Sequence, residues 1–332
     1  MKTKKFINNT EAIVDDMISG FVKAYPDKIE KLDNKNVVIR KKMPKDKVAV
    51  IIGNGSGHEP GCIGFIGENM LSANAYGAIF SAPSPDVLYD AIKACQNEKG
   101  VCVLISNHAG DVINSKMAIN MAKDDDMICE GVILYDDIAS APRKEIEERR
   151  GTVGTIFNYK ITSAFANKGY SLDEVVQMSK KTRGNTRTLA VATLPGTSPV
   201  TGYKMFEIAE DEIEIGMGVH GEAAAHNMKL SPCKEVVKVM CKELVEDMPY
   251  KSGDEVAVII NGCGQTTLME LLIFYNDVEQ ELSKYGIKTF KPAIGNFITT
   301  QEMGGISLSI CKLDEEMKDC WAKETDAPYF NI

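Results

Sequence analysis

The run Val48-Ala49-Val50-Ile51-Ile52 leads straight into Gly53-Asn54-Gly55-Ser56-Gly57-His58-Glu59-Pro60, and this join decides the fold class. An unbroken apolar run, mostly β-branched and bounded by turn residues, suits a strand covered on both faces, as in a parallel sheet. The glycines let the backbone bend sharply and bring its amides close to a ligand. A dinucleotide fingerprint is excluded, because G-x-G-x-x-G needs glycine where His58 stands. A P-loop is excluded too, because no Gly-Lys-Ser/Thr follows. Taken alone, the turn reads equally well as a tight strand-to-helix connection with an incidental histidine.

Outward from this join the pattern repeats. Ala75–Phe80 is β-rich and ends at Ser81-Ala82-Pro83-Ser84-Pro85-Asp86, where Ser84 suits an N-cap and Pro85 the first helical position of a helix to about Cys95. Val101–Ile105 reads as a buried strand. A helix over about Ile113–Lys123, a strand over Cys129–Leu134 and a helix over about Val153–Asn167 follow. Upstream, Thr10 is placed to cap a helix to about Lys23, with Ile13, Val14, Met17 and Phe21 on one face, and Val37–Arg40 reads as a strand. Strands alternating with helices predict a parallel sheet covered on both sides.

The polar stretch Lys180–Arg187 contains Gly184 and predicts a boundary between domains 1–183 and 184–332. Beyond it come strands at Thr188–Thr193 and Glu212–Ile215 separated by a long loop, then a helix capped by Ser231-Pro232. A strand at Glu255–Ile260, a helix from about Thr266 to Ser283 and a β-like alternation at Met303–Cys311 close the chain. The expected fold class is α/β, in two domains, each a largely parallel or mixed sheet flanked by helices.

Two further turns carry chemistry. Ser106-Asn107-His108-Ala109-Gly110-Asp111 follows the strand Val101–Ile105, and ligands of parallel sheets sit at the carboxyl ends of strands. Asp111 is equally placed to be a helix N-cap and nothing more, and His108 reads as a surface or supporting residue. Gly216-Met217-Gly218-Val219-His220-Gly221-Glu222 frames a histidine with glycines. A neutral imidazole there can attack a carbonyl; a packed loop histidine is the plainer reading. Three of the four histidines lie in these turns, but no H-x-x-x-H or H-x-H spacing supports zinc, so no metal is expected.

Composition narrows the function classes. A length of 332 residues accommodates two compact α/β domains, and 44% hydrophobic with 26% charged residues is ordinary for a globular chain. A formal charge of -9 argues against a nucleic-acid face or an anionic membrane surface. Met1–Phe6 is basic but no apolar core follows it, so no signal peptide is expected, and no stretch approaches a membrane span. The odd count of 9 cysteines, with no C-x-x-C pair, fits reduced thiols in a cytoplasmic protein.

In order, the three turns resemble the substrate-binding subunit of the dihydroxyacetone kinase family, which shows G-G-G-S-G-H-E-P, K-N-Y-T-G-D and G-I-G-I-H-G-E-P turns. Gly64-Phe65-Ile66-Gly67, Met70-Leu71, Ser84-Pro85-Asp86, Asp136-Asp137-Ile138-Ala139, Arg149-Arg150-Gly151 and Asn261-Gly262-Cys263-Gly264-Gln265-Thr266-Thr267 also resemble family segments. The likeness thus spans nearly the whole chain.

The resemblance implies that His220 captures the ketone carbonyl as a covalent hemiaminal, while His58 and Asp111 hydrogen-bond the substrate and assist proton removal from the reacting hydroxyl. Gly55, Ser56 and Gly57, with Ser106 at the border, are implied to cradle the ketose. It implies no nucleotide on this chain: ADP or ATP and Mg2+ are expected on a separate nucleotide-carrying kinase subunit, recharged by a phosphoenolpyruvate-linked one. A cytoplasmic homodimer in glycerol metabolism is implied as well. The departures are Asn54 for glycine, Ser106 for lysine, His108 for tyrosine, Ala109 for threonine, and Ala223-Ala224 for Pro-Gly. They keep two alternatives open: a ketose-sensing transcriptional co-activator, and a kinase for a four-carbon ketose such as erythrulose. Co-activator paralogues lose the aspartate that stands here as Asp111, whereas Thr266-Thr267-Leu268-Met269-Glu270 looks somewhat like their branch.

Overall fold

The computed structural model describes residues 4–33 and 35–330, so Met1–Thr3 of the basic start lie outside the described residues. In chain order the elements are α1 (Ile13–Ala24), β1 (Ile29–Lys31), β2 (Val37–Arg40), β3 (Ala49–Ser56), β4 (Ala73–Ile79), α2 (Pro85–Cys95), β5 (Val101–Ser106) and α3 (Ala109–Asp124). Then come β6 (Cys129–Leu134), α4 (Thr155–Ala166), α5 (Leu172–Gly184), β7 (Thr186–Leu194), β8 (Glu212–Ile215), β9 (His226–Lys229) and α6 (Cys233–Asp247). The last are β10 (Glu255–Gly262), α7 (Leu268–Lys284), β11 (Lys288–Thr289), β12 (Ala293–Gly295), β13 (Gly304–Lys312) and α8 (Glu315–Ala322).

The first sheet has the order β1-β2-β4-β3-β5-β6, with β4, β3, β5 and β6 running parallel. Its central strands are apolar on both faces, as the opening run predicts. Ala49 and Ile51 face the cluster under α2 and α3, while Val50 and Ile52 face the interior of the molecule. In register, Ala49 opposes Val101 and Ile52 opposes Leu104, so β3 and β5 end side by side and their turns share one edge.

The second sheet, β11-β10-β13-β7-β8-β9 with β12 also on β10, is the mixed kind of the two expected. β10–β13, β13–β7, β7–β8 and β8–β9 are antiparallel, and only the short β11 and β12 run parallel to β10. Antiparallel neighbours need no crossover helix, and β7 reaches β8 through a helix-free loop. Val256, Val258 and Ile260 face the α6–α7 side, and Ala257 and Ile259 face inward.

Between the sheets lies α4, all 12 of whose residues are buried. One hydrophobic cluster joins Val50, Leu104 and Leu134 of the first sheet to Phe157 and Phe165 of α4 and to Ala257, Ile259 and Trp321. Outer helices, sheet, shared helices, sheet and outer helices therefore stack as layers.

Several local expectations change. α1 starts at Ile13 behind Ala12, and Thr10 does not cap it. Within the Lys180–Arg187 stretch, α5 runs through Gly184 and β7 begins at Thr186. α5 opens with a capping box in which Ser171 accepts from the Glu174 amide.

Candidate active site

The three turns meet at the seam between the sheets. His58 follows β3 and is almost fully buried. Its ring Nδ1 lies 2.6 Å from the carbonyl oxygen of Thr299, in the loop between β12 and β13. A carbonyl only accepts, so Nδ1 carries the proton and Nε2 presents a lone pair. That Nε2 stands 3.0 Å from Nε2 of His220, carried by the loop between β8 and β9. The Thr299 amide donates to the His58 carbonyl (3.1 Å), the Thr299 hydroxyl to the Glu59 carbonyl (2.8 Å), and Gln301 Nε2 to the Gly57 carbonyl (3.0 Å). The two sheets' loops are thus stitched together where the histidines meet.

Glycine is required by close approach in the first turn. A Cβ at Gly55 would meet the Ser81 backbone at 2.8 Å, and Gly57 has φ +105 with the Phe80 ring against it. Phe80 packs against both imidazoles, with ring centroids 5.0 Å from His58 and 5.6 Å from His220.

The third turn sets the His220 ring. Glu222 accepts from the His220 amide at 2.9 Å and lies 3.0 Å from its Nδ1. Burial raises the Glu222 pKa, but the hydrogen bond and charge of His220 outweigh it and hold the carboxyl well below the ordinary range. Nδ1 therefore donates to an ionised carboxylate. Arg150 steadies this corner, lying 2.7 Å from Asp137 and 3.8 Å from Glu222.

The second turn supplies Asp111. It is not a cap: α3 begins at Ala109, His108 occupies the N-cap position, and Asp111 lies in the first helical turn. Its Oδ1 is buried without a hydrogen-bond partner. Burial pushes its pKa up to about 6, although the charge of His220 opposes the rise. Burial, reinforced by His220, lowers the His58 pKa to about 3, so that ring is neutral near pH 7.

These groups line a small cavity of about 70 Å³ that includes Gly55, His58, Ser106, Asp111, Tyr159 and His220. Of the expected cradle, Gly55 lies on this wall. Ser56 instead donates its hydroxyl to the Gly77 carbonyl (2.8 Å), and the Gly57 amide donates to Glu59 (2.9 Å). Thr299, Phe80 and Tyr159 were not singled out from sequence. Thr299 acts through its backbone oxygen, which no residue type announces. His108, read as a surface or supporting residue, lines the cavity with its ring 5.5 Å from that of His220. Among the described residues no helix is long and apolar enough to cross a membrane.

A two-sheet α/β protein with a histidine pair at the seam matches a known family: residues 19–329 fit the Dak1 domain, and the chain belongs to that family. It is 38% identical over 313 residues to the dihydroxyacetone-binding subunit of PTS-dependent dihydroxyacetone kinase 1 from Listeria innocua, covering 94% of this chain and 95% of that one. Among solved structures, it resembles a dihydroxyacetone kinase operon co-activator with TM-score 0.89 and 31% identity, over 94% of this chain and 97% of that one. It also resembles the dihydroxyacetone kinase of C. freundii with TM-score 0.90 and 30% identity, over all of this chain and 60% of that one.

Proposed function

We propose that this chain is the ketose-binding subunit of a phosphoenolpyruvate-dependent dihydroxyacetone kinase, holding the ketone for phosphoryl transfer from a nucleotide-carrying partner. The observation that carries this reading is the His58–His220 pair at 3.0 Å beside Asp111, with every other ring nitrogen of the pair already engaged.

With Nδ1 donating to Glu222, the His220 Nε2 lone pair attacks the carbonyl carbon. The Nε2–C bond forms as the C=O π pair moves to oxygen. That oxygen takes a proton relayed from solvent through His58 Nε2, and the Nδ1 proton leaves by way of Glu222 to solvent in its place, so the hemiaminal is neutral, Glu222 stays ionised and no net proton is taken up. A reversible covalent bond suits a ligand this small, which offers few other contacts, and it fixes the reacting hydroxyl. A polyol without a carbonyl cannot form it.

Asp111, unpartnered at Oδ1, accepts the proton of the terminal hydroxyl as that oxygen attacks phosphorus. The donor, ADP or ATP with Mg2+, belongs to the partner subunit, and the chain works as a cytoplasmic homodimer. Ser106 on the cavity wall, smaller than lysine, favours a four-carbon ketose such as erythrulose as a second substrate.

Native mass spectrometry of the chain with dihydroxyacetone tests the reading. Wild type gains the full ketose mass without loss of water, and His220→Ala gains nothing. Equal retention in both proteins, or a mass short by one water, overturns the hemiaminal at His220.

A further inference from the structure

His108, His220 and Glu222 each offer a donor atom, and these atoms lie within 4.8 Å of one another. The sequence carries no metal spacing because the three donors come from two turns more than a hundred positions apart; only the fold collects them. Their proton inventory fits a cation. His108 Nε2 lies 2.9 Å from the Gly151 carbonyl, which only accepts, so Nε2 holds the proton and Nδ1 keeps a free lone pair. A backbone carbonyl on the far nitrogen is the usual support of a metal-bound histidine.

The His220 Nδ1–Glu222 Oε1 pair is 3.0 Å apart. Bonds of about 2.1 Å to one ion would turn that separation into an angle of roughly 90° at the metal. Arg150 stands 3.8 Å from Glu222 and opposes a cation, but it is already paired with Asp137 at 2.7 Å. Glu222, Asp137 and Arg150 together leave one negative charge. His220 and Glu222 keep side-chain exposures of 29% and 36%, enough for an ion to enter.

We propose that His108, His220 and Glu222 bind one divalent transition-metal ion of the zinc class, displacing the Nδ1 proton of His220, and that this ion competes with the hydroxyketone by drawing electron density from the ring whose Nε2 attacks the carbonyl. Two imidazoles and a carboxylate suit Zn2+, Co2+ or Ni2+, whereas Mg2+ prefers oxygen donors and keeps its waters. The Mg2+ of the transfer reaction therefore leaves the site alone. With three protein ligands the ion keeps an open position. The competition, though not the metal site, rests on the ketose reading above.

The test uses the whole chain, stripped with a chelator and titrated with Zn2+ by equilibrium dialysis, and with Co2+ for its visible absorption. Wild type takes up one equivalent. His108→Phe and Glu222→Gln weaken uptake at least tenfold, while Cys233→Ser, at the only cysteine not buried among the nine, leaves it unchanged. Zinc lowers ketose retention in wild type but not in His108→Phe. Absence of stoichiometric uptake, uptake undiminished in His108→Phe, or uptake abolished by Cys233→Ser overturns the site. Zinc bound with no effect on ketose retention overturns the competition. Retention in metal-free wild type reports on the ketose reading separately, so the two can fail independently.

Discussion

The role proposed for Asp111, taking the hydroxyl proton, is made measurable by its environment. A carboxyl raised to about 6 accepts a proton only once ionised, so turnover with cognate partner subunits should climb as pH rises through about 6. Asp111→Asn should retain the ketose mass yet lose turnover by two or more orders of magnitude. An unchanged rate would remove Asp111 from the chemistry. Linkage gives an independent check. Between the ordinary carboxyl pKa and about 6, the folded state keeps a proton that the unfolded state has lost, so stability falls as pH rises through that window. Asp111→Asn should therefore be more stable than wild type above pH 6 in urea titrations. His58 has the opposite sign: its folded pKa is about 3, so its contribution is lost as pH falls from the ordinary histidine value toward 3.

The same scale shows what was legible. His58, Asp111 and His220 stand out because glycine-framed histidines and a carboxylate after a strand are distinctive residue types. The cap reading of Asp111 stayed open because caps and ligands draw on the same side chains, and only the helix start at Ala109 separates them. Ser56 resembles a ligand contact in sequence, yet its hydroxyl is consumed by Gly77.

Among the elements, α4 has the most to hold. Phe157 is fully buried and packs on Trp321, the only tryptophan, with ring centroids 5.0 Å apart. Phe157→Ala should cost about 3–5 kcal/mol in urea unfolding, and the Trp321 emission should shift red as its packing loosens. A loss below 1 kcal/mol would mean the layer repacks freely. The helix was readable from its apolar content, but its burial on every side was not, since a helix between two sheets lacks the polar stripe that tells outside from inside. α5 carried a readable signal, Ser171 followed three residues later by Glu174, hidden within an otherwise polar stretch. Strands as short as β11 and β12 hold no pattern long enough to detect.

Across the whole molecule, one carboxylate ties the halves together. Asp247, at the end of α6, accepts from Arg149 Nη1 at 2.8 Å and from Arg187 Nε at 2.5 Å, and Arg149 is 1% exposed. Arg149 adjoins the Arg150–Thr152 segment that supports the cavity, and Arg187 lies in β7. Asp247→Ala strands two guanidinium groups and should destabilise the fold by about 3–5 kcal/mol. Ketose retention should weaken with it, because the seam carries the site. A variant destabilised by less than 1 kcal/mol would show that the tie is dispensable. The parallel strands of the first sheet followed from the opening run, whereas the strand order and mostly antiparallel pairing within the mixed second sheet did not, because its strands are fixed by partners far along the chain.

The full burial of α4 also has a consequence for how the protein is made. When the first sheet and α4 have left the ribosome, the side of that helix destined for Trp321 of α8 has no cover, since α8 is still untranslated. Through that interval the nascent chain presents a sticky apolar surface, the kind that trigger-type chaperones shield. A stalled chain ending near Gly184 should accumulate as aggregate or chaperone-bound material rather than as a free half-protein.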